Sequence, residues 1–172
     1  MRRGREGGPT EAEASEWMGR ALAEARRAEK LGEVPIGAVV VANGKIIGRG
    51  HNETIRAHDP TAHAEILALR RASRRLRLER LTDAAVFVTL EPCAMCVGAM
   101  IQARIASLTF ACRDPKAGAV VSLYALASDP RLNHRFGFRE GVLEAECRSL
   151  LQEFFRRRRM VNRRATKSRA SS

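Results

Sequence analysis

Segments with helical and with strand periodicity alternate along almost the whole chain, and that alternation predicts an α/β fold: three layers, helix–sheet–helix, around a central five-stranded sheet. Two local signals support it. Asn43-Gly44 between two apolar runs is the strongest short-range sign of a β-hairpin, and Leu143, Cys147, Leu150, Leu151 and Phe154 form one apolar helical stripe near the end. With 172 residues the chain makes one domain with short tails, large enough for a proper core.

Residues 1–9 are expected to be a disordered extension. Thr10 and Glu13 have capping-box spacing, and Trp17, Met18, Ala21, Leu22, Ala25 and Ala28 recur at threes and fours, giving an amphipathic first helix that ends by Gly32. Ile36 to Val41 reads as a buried strand, and Lys45 to Gly50 as its hairpin partner. Asp59 or Thr61 is expected to cap the next helix, with Pro60 in its first turn and Ile66, Leu67 and Leu69 facing inward; its arginine-rich far end faces solvent. Ala85 to Leu90 is a third strand, followed by a helix from Pro92 to about Ala103 and a fourth strand from Leu108 to Cys112. The loop 112–119 leads to a short helical piece at Ser122 to Ala127, a short fifth strand at Phe136 to Phe138, and the final helix. The domain is placed at 10–160, and 161–172 is expected to be a basic, disordered tail.

Composition narrows the partners. The formal net charge is +12, and residues 156–172 carry Arg156, Arg157, Arg158, Arg159, Arg163, Arg164, Lys167 and Arg169 with no acid among them. Charge so concentrated points to a polyanion, RNA being the natural candidate, against the plainer alternative of a solvated tail. No run of 18 apolar residues is present, so no membrane span is expected, and the basic N-terminus has no apolar stretch behind it to make a secretory signal. The expected location is the cytoplasm, where the four cysteines read as reduced ligands and packing residues rather than a disulfide framework.

Chemistry concentrates in 59–104. Two stretches, Asp59-Pro60 with His63 and Glu65 and Glu91-Pro92 with Cys93 and Cys96, each open with an acid and a proline and run into helix formers. Cys93 and Cys96, three apart, share one helical face, and unpaired N–H groups of a first helical turn favour the thiolate that binds metal. Two thiolates and an imidazole select zinc over magnesium or calcium, and three protein ligands leave a position for water, as catalytic sites do. Cys112 and Cys147 read as small hydrophobes. His63 and Glu65 are two apart, which on a regular helix sends them to nearly opposite sides, so both serve one site only if His63 lies at the very start. Alone, the histidine is more often a core residue and Cys-x-x-Cys a redox pair.

Taken together, TAHAEI (61–66) and EPCAMC (91–96) are similar to the H-x-E…P-C-x-x-C pattern of the zinc-dependent cytidine/adenosine deaminase superfamily. With HN at 51–52, VTLEPCAMCVGAMIQARI, RDPKAGA, NHRF and LLQEFFRRRR, the chain resembles bacterial tRNA-specific adenosine deaminases over about residues 10–160, departing around Val120 to Leu126. The resemblance implies a cytidine-deaminase-like α/β/α fold with a mixed sheet, and one zinc per subunit on His63, Cys93 and Cys96. It further implies Glu65 as the proton carrier, and conversion of adenosine to inosine at the wobble position of a tRNA anticodon loop, that of an arginine tRNA, with ammonia released. By the same resemblance Asn52 meets the target nucleotide, Asp114 a neighbouring sugar and Phe155 the RNA, and the protein is a homodimer. From the residues alone, Asn52 and Asp114 also read as turn formers. Two other functions stand beside this one: a deaminase of free guanine, cytosine or nucleosides, and a non-catalytic zinc-stabilised RNA-binding module.

Overall fold

In the computed structural model, residues 8–169 are described, apart from the side chains of 162 and 164–169. Strands β1 (Gly37–Ala42), β2 (Lys45–His51), β3 (Ala85–Leu90), β4 (Ser107–Cys112) and β5 (Gly137–Glu140) form one sheet in the order β2-β1-β3-β4-β5. β1 runs antiparallel to both neighbours, while β3, β4 and β5 are parallel, so the sheet is mixed as expected. Helices α1 (Glu11–Lys30) and α5 (Glu144–Arg169) cover one face, and α3 (Ala64–Leu76) and α4 (Ala94–Ala103) the other. Strand alternation divides the core accordingly: Val86 and Val88 of β3 pack with α3 and α4, and Phe87 between them packs with α1.

Local chemistry explains most boundaries. The Thr10–Glu13 capping box starts α1. Asn43 (φ 51°) and Gly44 (φ 67°) take the left-handed conformations a two-residue hairpin needs. The start of α3 differs from expectation: Asp59 accepts hydrogen bonds from the Thr61 N–H and hydroxyl, closing a separate turn, and His63 is the N-cap. The cap of α4 is Cys93, one residue beyond Pro92. A four-residue helix α2 (Thr54–Ala57), unforeseen in the sequence, is capped from afar by buried Glu33, which accepts from the N–H groups of Ile55 and Arg56. The piece expected at 122–127 shrinks to a single 3₁₀ turn, Leu126–Ser128. The N–H groups of Val120, Val121 and Ser122 go to the Glu91 carboxylate and that of Leu126 to the Ala119 carbonyl, so no helical ladder forms there. β5 begins one residue late and runs on to Glu140, its parallel register with β4 pairing Ser107 with Gly137 and Phe110 with Glu140. α5 continues through 161–169, part of the expected disordered tail; arginine is a good helix former and the stretch holds no Gly or Pro. Residues 1–7 and 170–172 of the expected disordered ends lie outside the described residues.

The inward face of α3 is also smaller than its large apolar residues suggest. Ala64, Ala68 and Ala72 are buried against β2 and Leu69 is buried as expected, whereas Ile66 and Leu67 are only half-buried. The backbones approach so closely that a Cβ on Gly50 would lie 2.1 Å from the Ala64 carbonyl oxygen, and one on Gly48 2.2 Å from that of Ala68. Gly50→Ala therefore has to push α3 off the sheet, and urea unfolding is expected to show a loss of about 3 kcal/mol, at the upper end for overpacking. A loss under about 0.5 kcal/mol would contradict the close approach.

Candidate metal centre

Three chain segments converge at one end of the sheet: the end of β2, the first turn of α3, and the β3–α4 junction. His63, as N-cap, has extended backbone (φ −74°, ψ 152°), so the path from His63 to Glu65 is not helical. That resolves the difficulty of their spacing. Glu65 is buried in the first turn of α3, where His63, Cys93 and Cys96 all act on its carboxyl. Cys93 is the N-cap of α4, and Cys96 lies one turn inside it. The His63 Nδ1 stands 3.7 Å from the Cys93 Sγ and 3.6 Å from the Cys96 Sγ, and the two sulfurs are 3.8 Å apart. All three are close enough for one ion to touch them together, and among the described residues the group has no fourth member.

Asn52 follows β2 and its Oδ1 accepts the Ala64 N–H at 3.0 Å, so the asparagine caps α3 in place of Asp59 or Thr61. Because that N–H can only donate, the acceptor end of the amide is fixed and the Nδ2 hydrogens are turned away from the helix. The helix starts of α3 and α4 also place unpaired N–H groups beside the trio, which favours negative charge there.

The titrating groups follow from this packing. Burial pushes Glu65 up to about 7, against opposing pulls from a backbone hydrogen bond and His63. The hydrogen bond between the two cysteines, helped by His63, brings Cys93 down to about 3, while the same bond and burial drive Cys96 upward. The hydrogen bond with Cys93 raises His63. Both sulfurs bind metal as thiolates, so an ion displaces any proton the pair holds. Cys112 and Cys147 are buried thiols away from this group, pushed by burial up to about 11 and about 12.

The remaining residues singled out in the sequence lie in different settings. Asp114 Oδ1 accepts from the N–H groups of Lys116 and Ala117, which is the capping arrangement its position before Pro115 suggests. On α5, Phe154 is buried and Phe155 is 42% exposed, the two rings edge to face at 5.4 Å. Three buried acids had no legible role in the sequence. Glu33 caps α2; Glu24 meets the Nδ1 of buried His51 at 3.1 Å, just before Asn52; and Glu91 receives the loop after β4. These partners lie 23, 27 and 23 residues away in the chain; the one local contact among the three acids, Arg27 with Glu24 three residues before it, is an ordinary helix pair that gives no sign of burial.

The chain matches the MafB19-like deaminase family model over residues 12–159. It is 46% identical over 139 residues to the tRNA-specific adenosine deaminase of Aquifex aeolicus, covering 81% of this chain and 91% of that protein. The Bacillus subtilis tRNA-specific adenosine deaminase is 43% identical over 152 residues, 88% of this chain and 94% of the relative. Among solved structures, one from work on A-to-I editing by tRNA:A34 deaminases at the wobble position of transfer RNA matches with a TM-score of 0.77 and 44% identity, covering 80% of this chain and 99% of that one. A guanine deaminase from Nitrosomonas europaea matches with a TM-score of 0.70 and 27% identity, over 81% of this chain and 83% of that one. Together with a mixed five-stranded sheet between helices and a His/Cys/Cys group at two helix starts, these likenesses show that the chain belongs to the tRNA-specific adenosine deaminase family.

Proposed function

We propose that the protein converts adenosine to inosine at the wobble position of a tRNA anticodon loop, that of an arginine tRNA, releasing ammonia, with one zinc ion per subunit held by His63, Cys93 and Cys96. The observation that carries this reading is the spacing of the trio. A tetrahedral zinc with Zn–S of about 2.3 Å and Zn–N of about 2.0–2.1 Å separates its ligand atoms by about 3.8 Å (S–S) and about 3.6 Å (S–N). The 3.8, 3.7 and 3.6 Å found here fit that donor set. Bound there, zinc supplies a Lewis acid that lowers the pKa of water towards about 7.

The chain's own residues do the rest. Glu65 takes up the proton of the attacking water, passes it to the purine ring nitrogen, and delivers one to the departing amine. Burial raises the Glu65 carboxyl above its usual range, towards the neutral pH at which one group both takes and gives a proton. Asn52, held by the Ala64 N–H, offers its Nδ2 hydrogens to the nucleotide. The dipoles of α3 and α4 favour negative charge developing on the ring. Asp114 meets the sugar of a neighbouring nucleotide, and exposed Phe155 with the arginines of α5 faces the RNA. An anticodon loop already presents unstacked bases, which lowers the cost of placing one in a pocket. The reading includes a homodimer, which sedimentation tests, and a cytoplasmic location, tested by cell fractionation; no described helix is long and apolar enough to cross a membrane.

Deamination of a free purine is the second reading, favoured by the likeness to a guanine deaminase. The arginine-rich α5 and the higher identity to tRNA-specific relatives weigh against it. Incubation with an arginine-tRNA transcript, free adenosine and guanine separates them: inosine at the wobble position of the transcript is expected, and turnover of the free compounds alone would refute the proposal. Removing residues 156–172 is expected to weaken tRNA binding and flatten its salt dependence by about 0.7 for each phosphate no longer neutralised on single-stranded RNA. An unchanged slope would assign those arginines to the solvated surface.

A further inference from the structure

Glu91 directly follows β3 and precedes Pro92 and Cys93, and its carboxylate engages the loop after β4. It is 2% exposed, and no basic side chain hydrogen-bonds to it among the described residues. Instead five donors from the loop after β4 meet one carboxylate. Oε1 accepts the N–H groups of Val120 at 3.1 Å, Val121 at 2.7 Å and Ser122 at 2.9 Å. Oε2 accepts the Asp114 N–H at 3.0 Å and the Ser122 hydroxyl. Such a set outweighs the effect of burial and holds the carboxyl below its usual range.

Backbone contacts tie the same two segments. Cys93 and Gly118 form an isolated antiparallel bridge, and the Ala119 N–H donates to the Pro92 carbonyl at 2.8 Å. Gly118 has no room for a side chain, since a Cβ there would lie 2.3 Å from the Glu91 carboxyl carbon. The loop so held contains Asp114 and emerges at Leu123 and Tyr124, both more than half exposed. The residue before the metal-binding turn is thereby the anchor of a surface loop beside it.

We propose that Glu91 is a positioning residue for RNA: it locks the 114–122 loop to the Cys93 turn, so that Asp114, Leu123 and Tyr124 are held at a fixed place relative to the metal centre to receive nucleotides flanking the target. This rests on the tRNA-deaminase reading and extends it from the base to its neighbours. Substitution at Glu91 weakens substrate binding equally in ground and transition states, because the loop touches the flanking chain and not the reacting carbon.

The test uses the full-length, zinc-loaded protein carrying Glu91→Gln. Gln keeps the shape but turns one acceptor oxygen into an NH₂, which cannot accept the donors on its side. Amide exchange at Asp114, Val120, Val121 and Ser122 is expected to rise about tenfold or more, KM for tRNA to rise about tenfold, kcat to change less than about threefold, and zinc content to stay at the wild-type level. Gly118→Ala, whose methyl group presses on the Glu91 carboxylate from the loop side and keeps its charge, is expected to raise KM in the same way and guards against a folding defect peculiar to Glu91→Gln. Increased exchange with unchanged KM in both variants overturns the RNA role; loss of zinc before any change in KM overturns it too, making Glu91 a support of the ligand turn. A wild-type protein that leaves every tRNA unedited refutes the underlying function instead, and the exchange data still decide whether Glu91 anchors the loop.

Discussion

Glu65→Gln is expected to abolish deamination while leaving zinc in place. General acid–base catalysis by a positioned side chain contributes about 10²–10⁴-fold, and kcat should fall by that factor. The substitution is nearly isosteric at a site only 4% exposed, so packing survives. The amide cannot take the proton of water, nor pass one to the ring nitrogen or the leaving amine. Since burial already disfavours the charged carboxylate there, a neutral amide carries no added desolvation cost, and thermal stability should not drop. Two measurements on one preparation decide the matter: metal by atomic absorption, and inosine in tRNA. Turnover within about tenfold of wild type would remove Glu65 from the proton path. Loss of zinc would show that the carboxylate supports the ligands instead.

How far the sequence revealed this arrangement depends on the distance over which each interaction acts. The capping box of α1, the Asn43-Gly44 hairpin and the Cys-x-x-Cys turn are local, and each appears where its pattern indicates. The stripe on α5 is equally local: Cys147 and Phe154 are buried and Leu150 and Leu151 half-buried, whereas Leu143 lies one residue before the helix in the left-handed conformation (φ 53°) and is not part of it. The trio was legible because its two halves share an architecture, each ligand group sitting at a helix start.

What escaped was held by distant partners. The start of α3 could not be placed because its cap comes from Asn52 across the site, while the better-looking local candidate, Asp59, closes a turn of its own. Pattern also overvalued Ile66 and Leu67. Large apolar residues normally mark the inward face, but here Gly48 and Gly50 bring β2 so close that only alanines fit between. Glu24, Glu33 and Glu91 illustrate the same limit for charge. A buried acid satisfied by N–H groups or a histidine more than twenty residues away looks, in sequence, like any surface glutamate.

Cys96→Ala carries the other large effect, on metal retention. Cys96 is fully buried in the first turn of α4, with its sulfur 3.6 Å from the His63 Nδ1 and 3.8 Å from the Cys93 Sγ. Removing it leaves one thiolate and one imidazole, too few to hold zinc against a chelator, so bound zinc is expected to fall from about one per subunit to under about a tenth and deamination to vanish with it. The fold should persist, because α4 remains anchored by buried Val97, Met100 and Ile101, and removing one sulfur from a packed site costs only about 1 kcal/mol. Cys112→Ala and Cys147→Ala serve as controls: both thiols are buried in the core on the α1 and α5 side of the sheet, so each change should cost stability alone and leave zinc content unaltered. If Cys96→Ala kept its zinc while either control lost it, the metal would have to lie on the other face of the sheet, and Glu65, buried in α3, would have no reacting water to serve.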